Sequence, residues 1–136
     1  MKIAHLGFVV KDIDLALQSW VSSGYTIKIP KTFDPIQNVF CLVLEKDGEV
    51  DIELVSPGLI DKNPLASRLK KGGGLDHICF QTNNIQLSLE IERSNHSIIV
   101  CQPVFAETFK QRVAFVVRSG GMLVEFIEET AVNDEY

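Results

Sequence analysis

Residues 74–85, GLDHICFQTNNI, decide the fold, because the chain carries an earlier version of them at its N-terminus. A shift of 72 positions lays Ile3–Ile13, IAHLGFVVKDI, on Leu75–Ile85 and sets His5 on His77, Phe8 on Phe80 and Ile13 on Ile85. The same shift carries Ile52-Glu53-Leu54 onto Val124-Glu125-Phe126, so each half runs from a histidine to a glutamate 48 residues further on. A duplicated unit with ionisable residues at matched places in otherwise apolar stretches bears on fold and chemistry together.

Outward from the first copy, Ile3–Val10 is apolar and rich in β-branched residues, the pattern of a strand covered on both faces. On such a strand His5, Gly7 and Val9 share one face and Ala4, Leu6 and Phe8 the other. Asp12 is placed to cap a helix whose apolar residues Ile13, Ala16, Leu17, Trp20 and Val21 recur at helical spacing until Gly24 closes it. Tyr25–Ile29 reads as a short strand ended by Pro30, and residues 30–37, with two prolines, as a loop or lid. Val39–Leu44 and Val50–Val55 are strands joined by the turn Lys46-Asp47-Gly48. The first unit is therefore β-α-β-β-β.

Pro57-Gly58 ends that unit, and Asn63-Pro64 predicts the N-cap and first turn of a short helix that runs to Leu69 and is stopped by Gly72-Gly73-Gly74. In the second unit Leu75–Gln81 repeats the first strand and Asn84 stands where Asp12 stood. The helix that follows has a less regular stripe, with Ile85 and Leu89 on one side and Leu87 and Ile91 on another. Ile98–Cys101, Arg112–Val117 and Met122–Ile127 supply the remaining strands, with Ser119-Gly120-Gly121 as a hairpin turn. The expected organisation is one α+β domain over residues 1–136: module 1 about 1–57, a linker helix about 58–74, module 2 about 75–128 and an acidic tail over 129–136. Two tandem βαβββ modules related by a pseudo-twofold axis form one cupped mixed sheet, with helices on the outside and a concave inner face.

A chain of 136 residues that is 46% hydrophobic can bury one proper core, whereas halves of about seventy residues would each be marginal alone. The net charge of -5 comes without a basic stripe, which argues against nucleic acid or an anionic membrane surface as a partner and for a small molecule or a protein. Cys41, Cys79 and Cys101 form no CxxC spacing and read as buried thiols in a reducing compartment; with no signal peptide or membrane span in the sequence, the expected location is the cytoplasm. Exposed sheet edges would allow a homodimer.

Strand alternation sends Glu53 and Glu125 to the face opposite their apolar neighbours, and His5 and His77 alternate in the same sense. Taken singly, a strand histidine is most often a hydrogen-bonded core or rim residue and a strand glutamate faces water. Two of each, kept in both copies and set among apolar strands, are costly to bury unless something neutralises them, and a divalent cation does so. Two imidazoles and two carboxylates leave positions open on a six-coordinate ion. That suits Mn, Co, Ni, Fe or Mg better than structural Zn, and the identity of the ion stays open among these and Zn. Cys79 and Gln81 share the face of His77 and would line the site, with Cys79 a minor alternative as a ligand. His96 has no counterpart in the first half and reads as a surface turn residue.

The stretches HLGFVVKDIDLAL at 5–17, DIELVSP at 51–57, NPLASRLKKGGGLDHICFQTNNI at 63–85 and GGMLVEF at 120–126 resemble the vicinal oxygen chelate superfamily. That superfamily includes glyoxalase I, extradiol dioxygenases, fosfomycin-resistance proteins and methylmalonyl-CoA epimerase, and the chain is most similar to the epimerase branch. The resemblance implies that His5, Glu53, His77 and Glu125 are the four metal ligands. It also implies a metal-stabilised enolate, formed when a general base removes a proton beside a carbonyl. Glu125 is the first candidate for that base and Glu53 its symmetric alternative.

The chain departs from the epimerase pattern in having Asp76-His77 where two consecutive histidines are usual, and Cys41 near the place of a catalytic carboxylate. It lacks the glyoxalase I signatures, a Phe-Tyr pair in the first helix and Asp-Pro-Asp-Gly before the last strand. The leading expectation is an epimerase or isomerase acting on a small acyl thioester, methylmalonyl-CoA-like, or on a 2-oxo acid derivative. Lys70, Lys71, Arg112 and Arg118 are candidates to meet the phosphates of a CoA carrier. The alternatives are a glyoxalase I-type lyase acting on a thiol adduct, and a non-catalytic module that holds a small ligand in the same cup.

Overall fold

A computed structural model describes residues 1–129. In chain order it contains β1 (Ile3–Val9), α1 (Ile13–Ser22), β2 (Thr26–Asp34), β3 (Val39–Glu45), β4 (Asp51–Pro57), α2 (Ala66–Lys70), β5 (Gly74–Thr82), α3 (Ile85–Ser94), β6 (Ile98–Ala106), β7 (Gln111–Val117) and β8 (Leu123–Glu128). The eight strands form one sheet in the order β2-β3-β4-β1-β5-β8-β7-β6. Exchanging each strand with its counterpart 72 residues away reverses this order onto itself, so the pseudo-twofold axis passes between β1 and β5, which run antiparallel. Within each half the histidine strand lies parallel to the glutamate strand: β1 beside β4, and β5 beside β8.

The two helices of the repeat cover the convex face. Asp12 and Asn84 cap them, accepting hydrogen bonds from the amides of Leu15 and Leu87. Ile13, with Trp20 and Leu17, packs on Leu42, Leu44, Ile52 and Leu54; Ile85 and Leu89 pack on Ala114, Val116, Val124 and Phe126. The irregular stripe of α3 resolves as expected, for Ile85 and Leu89 are buried while Leu87 and Ile91 face out. Because Ile52, Leu54, Val124 and Phe126 point under the helices, alternation turns Glu53 and Glu125 to the concave side.

Three expectations need correction. Pro30 does not end β2, which continues to Asp34, so residues 30–37 are not a lid and only a turn at 35–38 separates β2 from β3. Proline is tolerated there because β2 is an edge strand whose pairing with β3 slips between Ile29 and Thr32. The other edge strand repeats the device: β6 runs past Cys101 to Ala106, with Pro103 inside a register shift between Cys101 and Val104. Asn63 does not cap α2, which starts at Ala66; its side chain accepts from the Leu65 amide and forms a turn ahead of the helix. Of the expected acidic tail, residues 130–136 lie outside the described residues. Among the described residues no helix is long and apolar enough to cross a membrane.

Candidate metal centre

The strand register brings the four ionisable residues of the repeat to one point. Glu53 on β4, Gly7 on β1 and His77 on β5 stand in one row across the sheet. Glu125 on β8, Cys79 on β5 and His5 on β1 form the symmetric row. The middle member of each row is small, and the reason is clearest at Gly7. A Cβ there would fall inside the His77 ring, which occupies the space that glycine leaves. Cys79 holds the corresponding place in the other row and is fully buried against Ala106, Val113 and Ile127. It is not among the converging groups.

His5, Glu53, His77 and Glu125 are 1%, 4%, 5% and 3% exposed, and one ligand atom from each lies within 4.8 Å of all the others. Glu125 Oε1 is 3.0 Å from His5 Nε2 and 3.1 Å from His77 Nε2; Glu53 Oε1 is 3.2 Å from each. The two Nε2 atoms are 3.4 Å apart. Adjacent ligands about an ion with bonds of about 2.1 Å lie about 3 Å apart, so this spacing fits a divalent cation. The donor set fits as well, since two carboxylates neutralise two positive charges and both imidazoles turn a lone-pair nitrogen to the same spot.

Left to themselves, the four groups share protons. Burial works against charge on His5, but the carboxylate of Glu53 and hydrogen bonds with Glu125 and Glu53 outweigh it and raise the pKa to about 9. Burial opposes charge on His77 too, and bonds to Asp76, Glu125 and Glu53 overcome it and hold the imidazole well above its usual range. Burial would raise the Glu53 and Glu125 carboxyls, yet the two imidazolium groups pull both below the usual carboxylate range.

Asp76 is a site residue that the sequence reading noted only as a departure. Its Oδ2 accepts from His77 Nδ1 at 2.9 Å and its Oδ1 lies 3.6 Å from Arg68 Nε. This fixes the ring so that Nε2 faces the cluster, the arrangement in which a carboxylate orients a metal-binding histidine. The signal in the sequence was the acidic residue directly before His77, but adjacent strand residues normally face opposite ways. Phe109 was also missed; its ring lies flat on His5, with centroids 5.0 Å apart and planes 3° from parallel. Phe115 meets the His77 ring edge to face.

A cavity of ≈ 230 Å³ opens beside the cluster and reaches Glu53, His77 and Glu125. Its walls include Val39, Val55, Leu65, Phe115 and Leu123, with Arg68 as the basic residue at its edge. Cys41 lines it, and burial followed by the neighbouring Glu53 raises its thiol pKa, keeping it protonated. Thr108 is 7% exposed, lines the same cavity, and its Oγ1 has no hydrogen-bond partner among the described residues. Gln81 does not reach this cavity: it faces others on the far side, because the end of β5 runs out beyond the cluster. Arg112 and Arg118 are committed elsewhere, to Glu128 at 2.8 Å and Glu92 at 3.0 Å. His96 is exposed in a turn.

The family model described as Glyoxalase/Bleomycin resistance protein/Dioxygenase superfamily matches residues 4–115. No curated protein matches the chain significantly. Among solved structures, a hypothetical protein from Bacillus halodurans C-125 superposes with a TM-score of 0.80 at 29% identity over 98% of both chains. Methylmalonyl-CoA epimerase from Mycobacterium tuberculosis gives a TM-score of 0.82 at 21% identity over 95% of this chain and 88% of that one. A variant of the Streptomyces coelicolor methylmalonyl-CoA epimerase in complex with 2-nitronate-propionyl-CoA gives 0.79 at 20% identity over 96% and 99%. At the identities of the two epimerases the likeness is one of fold.

Proposed function

The chain belongs to the glyoxalase/bleomycin resistance protein/dioxygenase superfamily, and from that premise we propose that it is a metal-dependent epimerase or isomerase acting on a small acyl thioester or a 2-oxo acid. The observation that carries the proposal is the convergence of two buried histidines and two buried glutamates, three of which, Glu53, His77 and Glu125, line a largely apolar cavity. The thioester reading draws on the structural neighbours, two of which are epimerases named for a CoA substrate.

His5, Glu53, His77 and Glu125 would hold the ion. A divalent cation there supplies Lewis-acid stabilisation of the negative charge that grows on a carbonyl oxygen as the neighbouring carbon loses a proton. Glu125 is the general base in this proposal and Glu53 the alternative, since both carboxylates open onto the cavity. The apolar walls keep water from the carboxylate and the carbon acid alike, which makes the proton transfer less dependent on solvent. Cys41, protonated and facing Glu53, cannot serve as the base. Asp76 and Arg68 act through His77, by fixing its ring.

A lyase of the glyoxalase I type is the second reading, and one observation favours it. Among the described residues the cavity offers a single carboxylate outside the cluster, Asp76, already engaged by His77 and Arg68. A proton would then leave and return through one group on one side of the substrate.

Elemental analysis of untagged protein, with His77→Ala and Glu125→Ala beside it, tests the proposal. About one divalent ion per chain is expected in the wild type and none in the variants. The loaded wild type should then exchange the α-proton of methylmalonyl-CoA with deuterated solvent; turnover of a thiohemiacetal in its place would select the lyase. A folded wild type that neither retains nor takes up metal would leave only the non-catalytic binding module.

A further inference from the structure

Two cavities flank the cluster, and the twofold relation maps one onto the other. The apolar cavity of ≈ 230 Å³ reaches Glu53, His77 and Glu125, while a second of ≈ 250 Å³ reaches His5 alone of the four. The shift of 72 positions converts His77 of the first into His5 of the second, Val39 into Gln111 and Leu123 into Asp51. The second cavity is thus the twin of the first, with a different chemistry. Its wall carries Lys28 bonded to Asp51 at 2.7 Å, together with Gln81 and Gln111.

Phe109 lines both cavities. On the second side its ring covers the face of His5 in parallel contact. Its counterpart under the shift is Gln37, which lines the first cavity with its amide drawn to Asp34 Oδ2 at 3.0 Å, leaving His77 open to that cavity. The same structural position therefore carries an aromatic cover on one side and a withdrawn polar side chain on the other.

We infer that Phe109 makes the centre one-sided: it closes the approach from the second cavity, so that small ligands reach the cluster only from the apolar cavity. The stacked ring keeps water off the back of His5, where the polar walls of the second cavity would otherwise hold it. Replacing Phe109 by glutamine, the residue its counterpart carries, opens a second, polar entrance that admits small anions.

The inference rests on the metal reading, and the experiment separates the two. Cobalt(II)-loaded protein is titrated with azide, and binding is followed by the visible absorption of the ion. With the apolar cavity closed by Gln37→Phe and Leu65→Trp, azide affinity should fall at least about tenfold. Adding Phe109→Gln to that background should return it to within about threefold of the wild type. Phe109→Ala in the same background should do the same, so the outcome does not hang on one replacement. Failure of the wild type to take up cobalt would remove the metal reading and this inference with it. A normal cobalt spectrum with azide affinity undiminished by the closing substitutions, or not restored by either change at Phe109, would overturn the inference alone.

Discussion

Adding a divalent metal to metal-free protein at pH 7 should release close to two protons per ion. His5, raised to about 9, is almost wholly protonated at that pH, and His77 is raised in the same sense. Both imidazoles must be neutral to bind an ion, whereas Glu53 and Glu125, held below the usual carboxylate range, have no proton to give up. Two ordinary imidazoles with pKa of about 6.5 would be about one-quarter protonated at pH 7 and release about half a proton together. The gap is wide enough to measure by calorimetry at fixed pH in buffers of different ionisation enthalpy. For His5 alone, displacing the proton at pH 7 costs about 3 kcal/mol, or roughly a hundredfold in apparent affinity, recovered as the pH approaches 9.

The same linkage sets the stability of the metal-free protein. A raised imidazole pKa contributes stability that is full below about 6.5 and lost as the pH climbs through about 9. The lowered carboxyls contribute stability that is full above about 4.5 and lost on acidification. Metal-free protein should therefore melt lower at pH 9 than at pH 6, and metal should reverse that order. Release of half a proton or less at pH 7, or an affinity flat from pH 6.5 to 8.5, would refute the reasoning.

Gly7→Ala should push the His77 ring out of line, since the new methyl occupies the ring's own space. Metal affinity should fall by at least about tenfold and unfolding free energy by about 1–3 kcal/mol, read by competition with a chromophoric chelator and by thermal melts. Asp76→Asn keeps the shape beside His77 and removes the charge that orients the ring. It should lower metal affinity about 10–100-fold in the same competition assay, with the fold intact by circular dichroism. Thr108→Val replaces a buried hydroxyl that has no hydrogen-bond partner among the described residues by a methyl of similar size. Stability should stay level or rise by up to about 1 kcal/mol in urea unfolding, and a loss larger than that would mean the hydroxyl is satisfied.

Much of this site was legible because duplication writes every element twice. The pair His5 and His77, with Glu53 and Glu125, stood out by matched spacing, and strand alternation alone put each glutamate opposite its buried neighbours. Capping by Asp12 and Asn84 was readable for the same reason. What the sequence hid depends on sheet position. Pro30 and Pro103 look like strand breakers until β2 and β6 are known to be edges, where a missing amide donor costs little. Gly7 gave no hint of its task, because the ring it makes room for belongs to a residue seventy positions away. Asp76 and Phe109 reach the cluster through strand irregularity and a turn, which period-two reasoning cannot follow.

The pseudo-twofold axis also explains where the molecule stops being symmetric. Both rows across the central strands obey it, glutamate, small residue and histidine in each, so the cluster itself has two equivalent halves. Its surroundings break the relation at a few positions. Asp76 orients His77, but the counterpart before His5 is Ala4; Phe115 touches His77, but its counterpart is Val43; Phe109 covers His5, but its counterpart is Gln37. The first and the last of these differences act in the same direction, since Asp76 orients His77 and Gln37 leaves it open while His5 is covered by Phe109 and carries no such carboxylate. A centre built from two like halves would offer a substrate two like approaches, and a reaction at a prochiral or chiral carbon needs one. The residues that distinguish the two sides are therefore the ones to expect in control of substrate orientation, while the repeated residues are the ones proposed to hold the ion.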